Sequence, residues 1–269
     1  MSTPATQFPP DTDPDLRQRH VLLADDQVIS AMIVGKWLGM LGCTMERVED
    51  GQQAVERWQQ GRFDLILMDV KMPVLDGLEA TARIRALEPA GSARTPIVAL
   101  TAGASPQDRD SCLAAGMDTH TVKPTTLETL AAAMREALRL AASTAAAAPP
   151  QAALSEAAPG WAMDLERLRE NLGHDEELLT EFIEAMQIEL SLRLPRLHAA
   201  RQATDARQSQ EQAHALRGAL GSVGAEEAVA LTRALEREAG AGDWDAFGQT
   251  LARLQTQVEA IRSALASVR

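Results

Sequence analysis

At 269 residues, with 45% apolar and 24% charged side chains, the chain is long enough for two domains with separate cores and too apolar to be disordered. Its 38 acidic residues against 26 basic ones give a formal charge of −12, which argues against general nucleic-acid affinity because no basic surplus exists to neutralise phosphates. No apolar run approaches the ~20 residues of a membrane span. The opening MSTPATQFPPDTDPDLRQRH lacks the apolar core of a signal peptide, so a cytoplasmic protein with neither membrane nor nucleic-acid partners is expected.

Residues 1–19, rich in Pro, Asp and Thr, read as a flexible leader. From His20, short apolar runs alternate with helical patterns. The predicted strands are VLLAD (21–25), CTMERV (43–48), DLILMD (64–69), PIVALT (96–101) and MDTHTV (117–122). The predicted helices after them are VISAMIVGKWLGML, GQQAVERWQQ, LEATARIRAL, SPQDRDSCLAAG and TLETLAAAMREALRL. Five β–α units in succession predict an α/β fold, a doubly wound five-stranded parallel sheet with helices on both faces, over residues 20–140. Cys43 and Cys112 stand in no paired motif and read as buried free thiols. GKWLG (35–39) lacks the upstream Gly of a nucleotide-binding loop and reads as helix packing.

In such a sheet, ligands bind beyond the carboxyl ends of the strands, near a topological switch point. Asp25 and Asp26 end the first strand and Asp69 ends the third. In the common flavodoxin-like order these two strands are neighbours, so the three carboxylates converge. Like charges so placed repel unless a cation neutralises them, and a hard dication such as Mg²⁺ suits an all-oxygen set. Thr101 ends the fourth strand and Lys123 follows the fifth. A hydroxyl, an ammonium and a metal around one carboxylate make a phosphoryl site, with a carboxylate attacking in line.

LLADDQ, LILMDVKMPVLDG, VALTA and HTVKP occur in order and resemble the receiver domain of two-component response regulators. The resemblance implies that Asp69 is the phosphoacceptor. It implies that Asp26, Asp69 and the main-chain carbonyl of Lys71 bind Mg²⁺, with Asp25 acting through water. Thr101 and Lys123 would contact the phosphoryl group, and Lys123–Pro124 would be a cis peptide. One position departs from the family: His120 stands three residues before Lys123-Pro124, where receivers commonly carry Tyr or Phe. An imidazole either fills the same slot or makes signalling responsive to pH.

AASTAAAAPPQAALSEAAPG (141–160) reads as an Ala/Pro-rich linker, with Pro149, Pro150 and Pro159 ending any continuous helix. Beyond it no strand pattern appears. Helical stretches near 162–172, 175–200, 204–222, 226–239 and 243–267, with a turn at GAGDW (240–244), predict an antiparallel bundle over 161–269. AHALRGALGSVGA (213–225) carries Gly218 and Gly221 inside a helix, a sacrifice of about 2 kcal/mol relative to Ala. At 100° per residue Leu216, Leu220 and Val223 face a core, while His214, Arg217, Gly218, Gly221 and Ser222 share the opposite face. An imidazole flanked by glycines gives another protein's active site close approach, and Arg217 is placed to pair with a phosphoryl group on the ring.

That stretch resembles the histidine phosphotransfer (HPt) motif, and DLERLRENLGHDEELLTEFIEAM resembles the opening helices of the same family. The resemblance implies a four-helix bundle with His214 as the phosphorylated residue. Arg217 replaces the commoner Lys and makes a forked donor. Glu236 falls where the family often has a polar partner for the imidazole. His20, His174 and His198 show no metal-ligand spacing.

An Asp acceptor and a His carrier in one chain predict a phosphorelay component, a phosphotransfer intermediate without an ATP-binding kinase domain. The expected partners are a sensor histidine kinase and a response regulator receiver upstream or downstream. A flexible 20-residue linker spans about 22–27 Å, which permits exchange between Asp69 and His214 in one chain. The alternatives are a phosphate sink running from His214 back to Asp69 and water, and a phosphorylation-gated binding protein without onward transfer. The Met1 start favours a complete protein over a piece of a hybrid kinase.

Overall fold

The computed structural model describes residues 14–89, 94–102, 105–123, 125–142, 168–170 and 172–267. The chain divides into two compact units. No helix of the described residues is long and apolar enough to cross a membrane.

The first unit runs β1 (His20–Ala24), α1 (Val28–Met40), β2 (Thr44–Val48), α2 (Gly51–Gln60), β3 (Leu65–Asp69), α3 (Gly77–Leu87), β4 (Ile97–Thr101), α4 (Pro106–Ala114), β5 (Thr119–Val122) and α5 (Leu127–Ala142). All four strand pairings are parallel, in the order β2-β1-β3-β4-β5. LILMD and IVALT, the most continuously apolar runs, form β3 and β4 and are buried along their whole length, as strands covered on both faces must be. Acidic and hydroxyl caps set the helix starts. Asp50 accepts from Gln53 N, Asp76 accepts from Glu79 N, and Ser105 and Asp108 form a reciprocal capping box. The order decides the function-bearing edge. Because β1 lies against β3, with Ala24 opposite Met68, the residues that follow and end these strands emerge side by side.

The folded chain begins before the predicted boundary. Leu16 is fully buried, its carbonyl accepts from the Cys43 thiol at 3.2 Å, Gln18 N donates to Gly42 O, and Arg19 pairs with Asp64 at 3.2 Å. Leu16, Gln18 and Arg19 are therefore tied to the fold, while 1–13 lie outside the described residues. A single Leu amid polar residues carries no periodicity, and its burial depends on partners more than twenty positions away. Cys43 and Cys112 are free and buried. Burial, helped by the nearby Asp108 charge, pushes the Cys112 thiol up to about 11.

The second unit is helical: α6 (Glu176–Gln202), α7 (Ala206–Ser222), α8 (Glu226–Ala241) and α9 (Trp244–Ala266). Each helix packs on the next and α9 closes on α6, the arrangement short connections impose on a bundle. Asp175, Asp205 and Asp243 cap α6, α7 and α9, and Gly242, at φ 72°, ends α8 in the left-handed conformation that Gly adopts cheaply. Phe182, Leu190, Leu216, Leu235, Phe247 and Leu254 are fully buried. The predicted linker and the helix expected near 162–172 lie largely outside the described residues. Within that stretch 168–170 are helical, and Leu168 and Leu172 are buried.

Candidate functional site

β1 and β3 deliver the acidic residues to one edge. Carboxylate oxygens of Asp25, Asp26 and Asp69 lie within 4.8 Å of one another, with Asp25 and Asp69 buried and Asp26 half-buried. Lys123, directly after β5, places Nζ 2.7 Å from Asp25 Oδ2 and 2.7 Å from Asp69 Oδ2, its side chain only 11% exposed. Burial opposes the ammonium charge, but the Asp25 and Asp69 carboxylates outweigh it and hold Lys123 above its ordinary pKa. It is a fixed cation. Lys71 N donates to Asp69 Oδ1 at 3.1 Å, which turns the chain after β3 back toward the pocket. Thr101 is buried at the end of β4, and its carbonyl accepts from Lys123 N at 2.6 Å. The side chains of Asp25, Asp26, Asp69 and Lys123 are thus brought together, and Thr101 joins the same edge through its main-chain carbonyl. Their donor set, three carboxylates at hard-ligand spacing, fits a small dication. The expected cis peptide involves Pro124, outside the described residues.

Two supports escaped the sequence reading. Arg47 donates through Nε and Nη2 to the main-chain carbonyl of Asp25, at 3.2 and 3.1 Å, fixing the chain as it leaves β1. Gly77 opens α3 against Asp69, where an added Cβ would stand 2.0 Å from the Asp69 carbonyl oxygen. The Asp-Gly after LILMDVKMPVL was the available signal for the latter. For Arg47 there was none, since its partner lies 22 residues away.

His120 sits half-buried on β5, opposite Ala99 in register. Burial, with a smaller contribution from the Arg109 charge, holds its pKa below the ordinary 6.5. The folded chain resists a proton that the unfolded chain accepts near that pH, so His120 contributes stability above the unfolded value and loses it as pH falls through the lowered folded value. Urea midpoints measured from pH 7.5 down to 5 are expected to fall less in His120→Gln than in the parent. Parallel profiles would exclude this role.

In the second unit His214 lies on α7 with two polar neighbours at its ring. Arg217, one turn on, donates through Nη2 to His214 Nδ1 at 2.8 Å and through Nη1 to Glu236 Oε2 at 3.0 Å. Glu236, on α8, brings Oε1 to 3.5 Å from the same ring nitrogen, and the three side chains are only 13–17% exposed. Gln210 Nε2 donates to the Glu236 carbonyl at 3.1 Å, tying α7 to α8 beside the imidazole. Gly221 is buried within α7.

The response regulator receiver domain family matches residues 21–135, and the Hpt domain family matches residues 177–264. The sensor protein EvgS of Escherichia coli (strain K12) is 28% identical over 217 residues, covering 80% of this chain and 17% of that protein. The sensor protein GacS of Pseudomonas syringae pv. syringae is 43% identical over 117 residues, 42% of this chain and 13% of GacS. The chain therefore spans a small part of these curated relatives. Among solved structures, the receiver domain of the sensor histidine kinase PA1611 from Pseudomonas aeruginosa PAO1 is 38% identical, covering 45% of this chain and 98% of that one with a TM-score of 0.42. The chain joins a response regulator receiver domain, residues 21–135, to an Hpt domain, residues 177–264, the domain pairing of two-component phosphorelay signalling.

Proposed function

We propose that the protein is a phosphorelay intermediate that accepts a phosphoryl group on Asp69 and carries one on His214. The observation that carries the reading is the bridging of Asp25 and Asp69 by Lys123 within a triad of carboxylates. A carboxylate held beside a fixed ammonium is set to take up a phosphoryl group, because the ammonium can follow the charge from the carboxylate to the phosphoryl oxygens. An Asp69 oxygen attacks phosphorus, the bond from phosphorus to the donor nitrogen breaks, and Lys123 and Thr101 contact the transferred group. Asp25, Asp26, Asp69 and the Lys71 carbonyl are the residues to hold Mg²⁺, which would supply positive charge opposite the phosphoryl oxygens. Transfer onward forms a bond from His214 Nε2 to phosphorus and returns the aspartate to a carboxylate, with Arg217 near the new charge. We assign the donor to a sensor histidine kinase, the recipient to a partner receiver, and the setting to the cytoplasm.

The test follows label from a phosphorylated sensor kinase through the parent chain, Asp69→Asn and His214→Gln. Asp69→Asn is expected to take no label from the kinase, and His214→Gln is expected to trap it on Asp69 and starve the partner receiver. A receiver that still gains label through His214→Gln would refute the relay. Labelling of Asp69→Asn by the kinase would place entry at His214 and reverse the direction.

A further inference from the structure

We infer that Arg217 is a latch: it holds His214 in the ring form that cannot accept a phosphoryl group, and an incoming phosphoryl group releases it. The inference rests on the reading of His214 as the phosphoryl carrier and adds how that residue is gated.

A guanidinium has five N–H donors and no acceptor. At 2.8 Å from Arg217 Nη2, His214 Nδ1 must therefore present a lone pair. An Nδ1–H tautomer or an imidazolium would set two hydrogens face to face. The ring proton accordingly sits on Nε2, whose lone pair is then absent, while Nδ1 is covered by Arg217. Neither nitrogen is free to attack phosphorus. The geometry also holds the alternative. Glu236 Oε1 lies 3.5 Å from Nδ1, and the other oxygen of the same carboxylate anchors Arg217 at 3.0 Å. Glu236 can thus accept from Nδ1–H once Arg217 no longer donates there.

A phosphoryl group carries more negative charge than the neutral ring nitrogen and offers several acceptors, so it competes well for the fork of Arg217. As Arg217 turns toward it, Nε2 gives its proton to water, Nδ1 takes one and donates it to Glu236, and the Nε2 lone pair faces phosphorus. The Nε2–P bond forms, the bond from phosphorus to the donor oxygen breaks, and the donor leaves as a carboxylate. The positive charge of the phosphorylated ring is shared through Nδ1–H with Glu236. A Lys at this position keeps the charge but lacks a planar fork to direct two bonds at once, at Nδ1 and at Glu236. In these terms Arg217 and Glu236 are positioning residues whose effect runs through the imidazole.

The full chain, with ¹⁵N-labelled histidine, tests the bond by two-bond ¹H–¹⁵N spectra at a pH where the ring is neutral, with His214→Gln identifying the resonances. The parent is expected to show an unprotonated Nδ1 and a protonated Nε2. Arg217→Ala and Arg217→Lys should shift the ring toward Nδ1–H. With phosphoramidate as donor, Arg217→Ala is expected to raise the saturating rate of His214 labelling about fivefold, the equivalent of one net hydrogen bond at ~1 kcal/mol, while raising the half-saturating donor concentration. A parent ring already protonated at Nδ1, unchanged spectra in both variants, or a lower saturating rate in Arg217→Ala overturns the latch. Absence of His214 label in every chain sinks the carrier reading instead, and the spectra still decide whether Arg217 holds the ring.

Discussion

Lys123→Met is expected to destabilise the receiver unit by about 3–5 kcal/mol in the absence of divalent cations, because it strips the counter-charge from two buried carboxylates. Asp25 and Asp69 each lie 2.7 Å from the ammonium. Met keeps the length of the side chain, so the loss isolates charge from packing. Millimolar Mg²⁺ should return much of the lost stability, since a dication among Asp25, Asp26 and Asp69 answers the same repulsion. Urea unfolding with and without Mg²⁺ measures both arms, and equal midpoints for parent and variant without divalent cation would remove the electrostatic account of the pocket. The variant should also take up phosphoryl on Asp69 roughly two orders of magnitude more slowly even with Mg²⁺ present, the usual consequence of losing one positioned charge.

Arg85→Ala should produce a stability loss of the same size without touching the chemistry. The Arg85 guanidinium, 12% exposed, donates to Glu88 Oε1 at 2.7 Å, to Asp118 Oδ2 at 2.8 Å, and to the carbonyls of Gly116 and Thr95 at 2.8 and 2.9 Å. Asp118 Oδ2 also accepts from Ile97 N at 2.7 Å, so one buried cluster ties the end of α3 to the starts of β4 and β5. Burial pulls the Arg85 pKa down and pushes Asp118 up, and the pair hold each other charged against it. Removing the guanidinium strips the nearer counter-charge from Glu88 and Asp118 in a poorly hydrated site and leaves them only Arg94, 3.8 Å from Glu88, a cost of about 3–5 kcal/mol. The cluster lies at the amino ends of the strands, opposite the edge that carries Asp69. Folded Arg85→Ala chain should therefore label on Asp69 at the parent rate at low temperature while unfolding at much lower urea. A slow labelling rate in fully folded protein would contradict that separation of roles.

These two sites differ in how far the sequence discloses them. Asp25, Asp26 and Asp69 are legible because each ends a strand of obvious apolar character, and parallel topology sends strand ends to one edge. The membership of Thr101 and Lys123 follows from the same rule. Arg85 is not legible: it sits in an ordinary helix, and its partner Asp118 is 33 residues away, beyond β4 and α4. Leu16 escaped for the same reason, as one apolar residue without periodicity. On α7, periodicity separates the core positions from the His214 face, but it treats the face as open surface. Only the neighbouring helix brings Glu236 to the imidazole and turns Arg217 into a bridge between them.

Local pattern thus determined the kind of elements in each half and the residue types at the strand ends, because apolar periodicity and capping act over a few residues. Tertiary structure decided which charges neutralise which. Lys123 reaches Asp25 across 98 residues and Asp69 across 54, and Arg217 reaches Glu236 across 19. Such pairings depend on distance in space, and in a low-dielectric pocket a few ångströms separate a stabilising ion pair from an uncompensated charge.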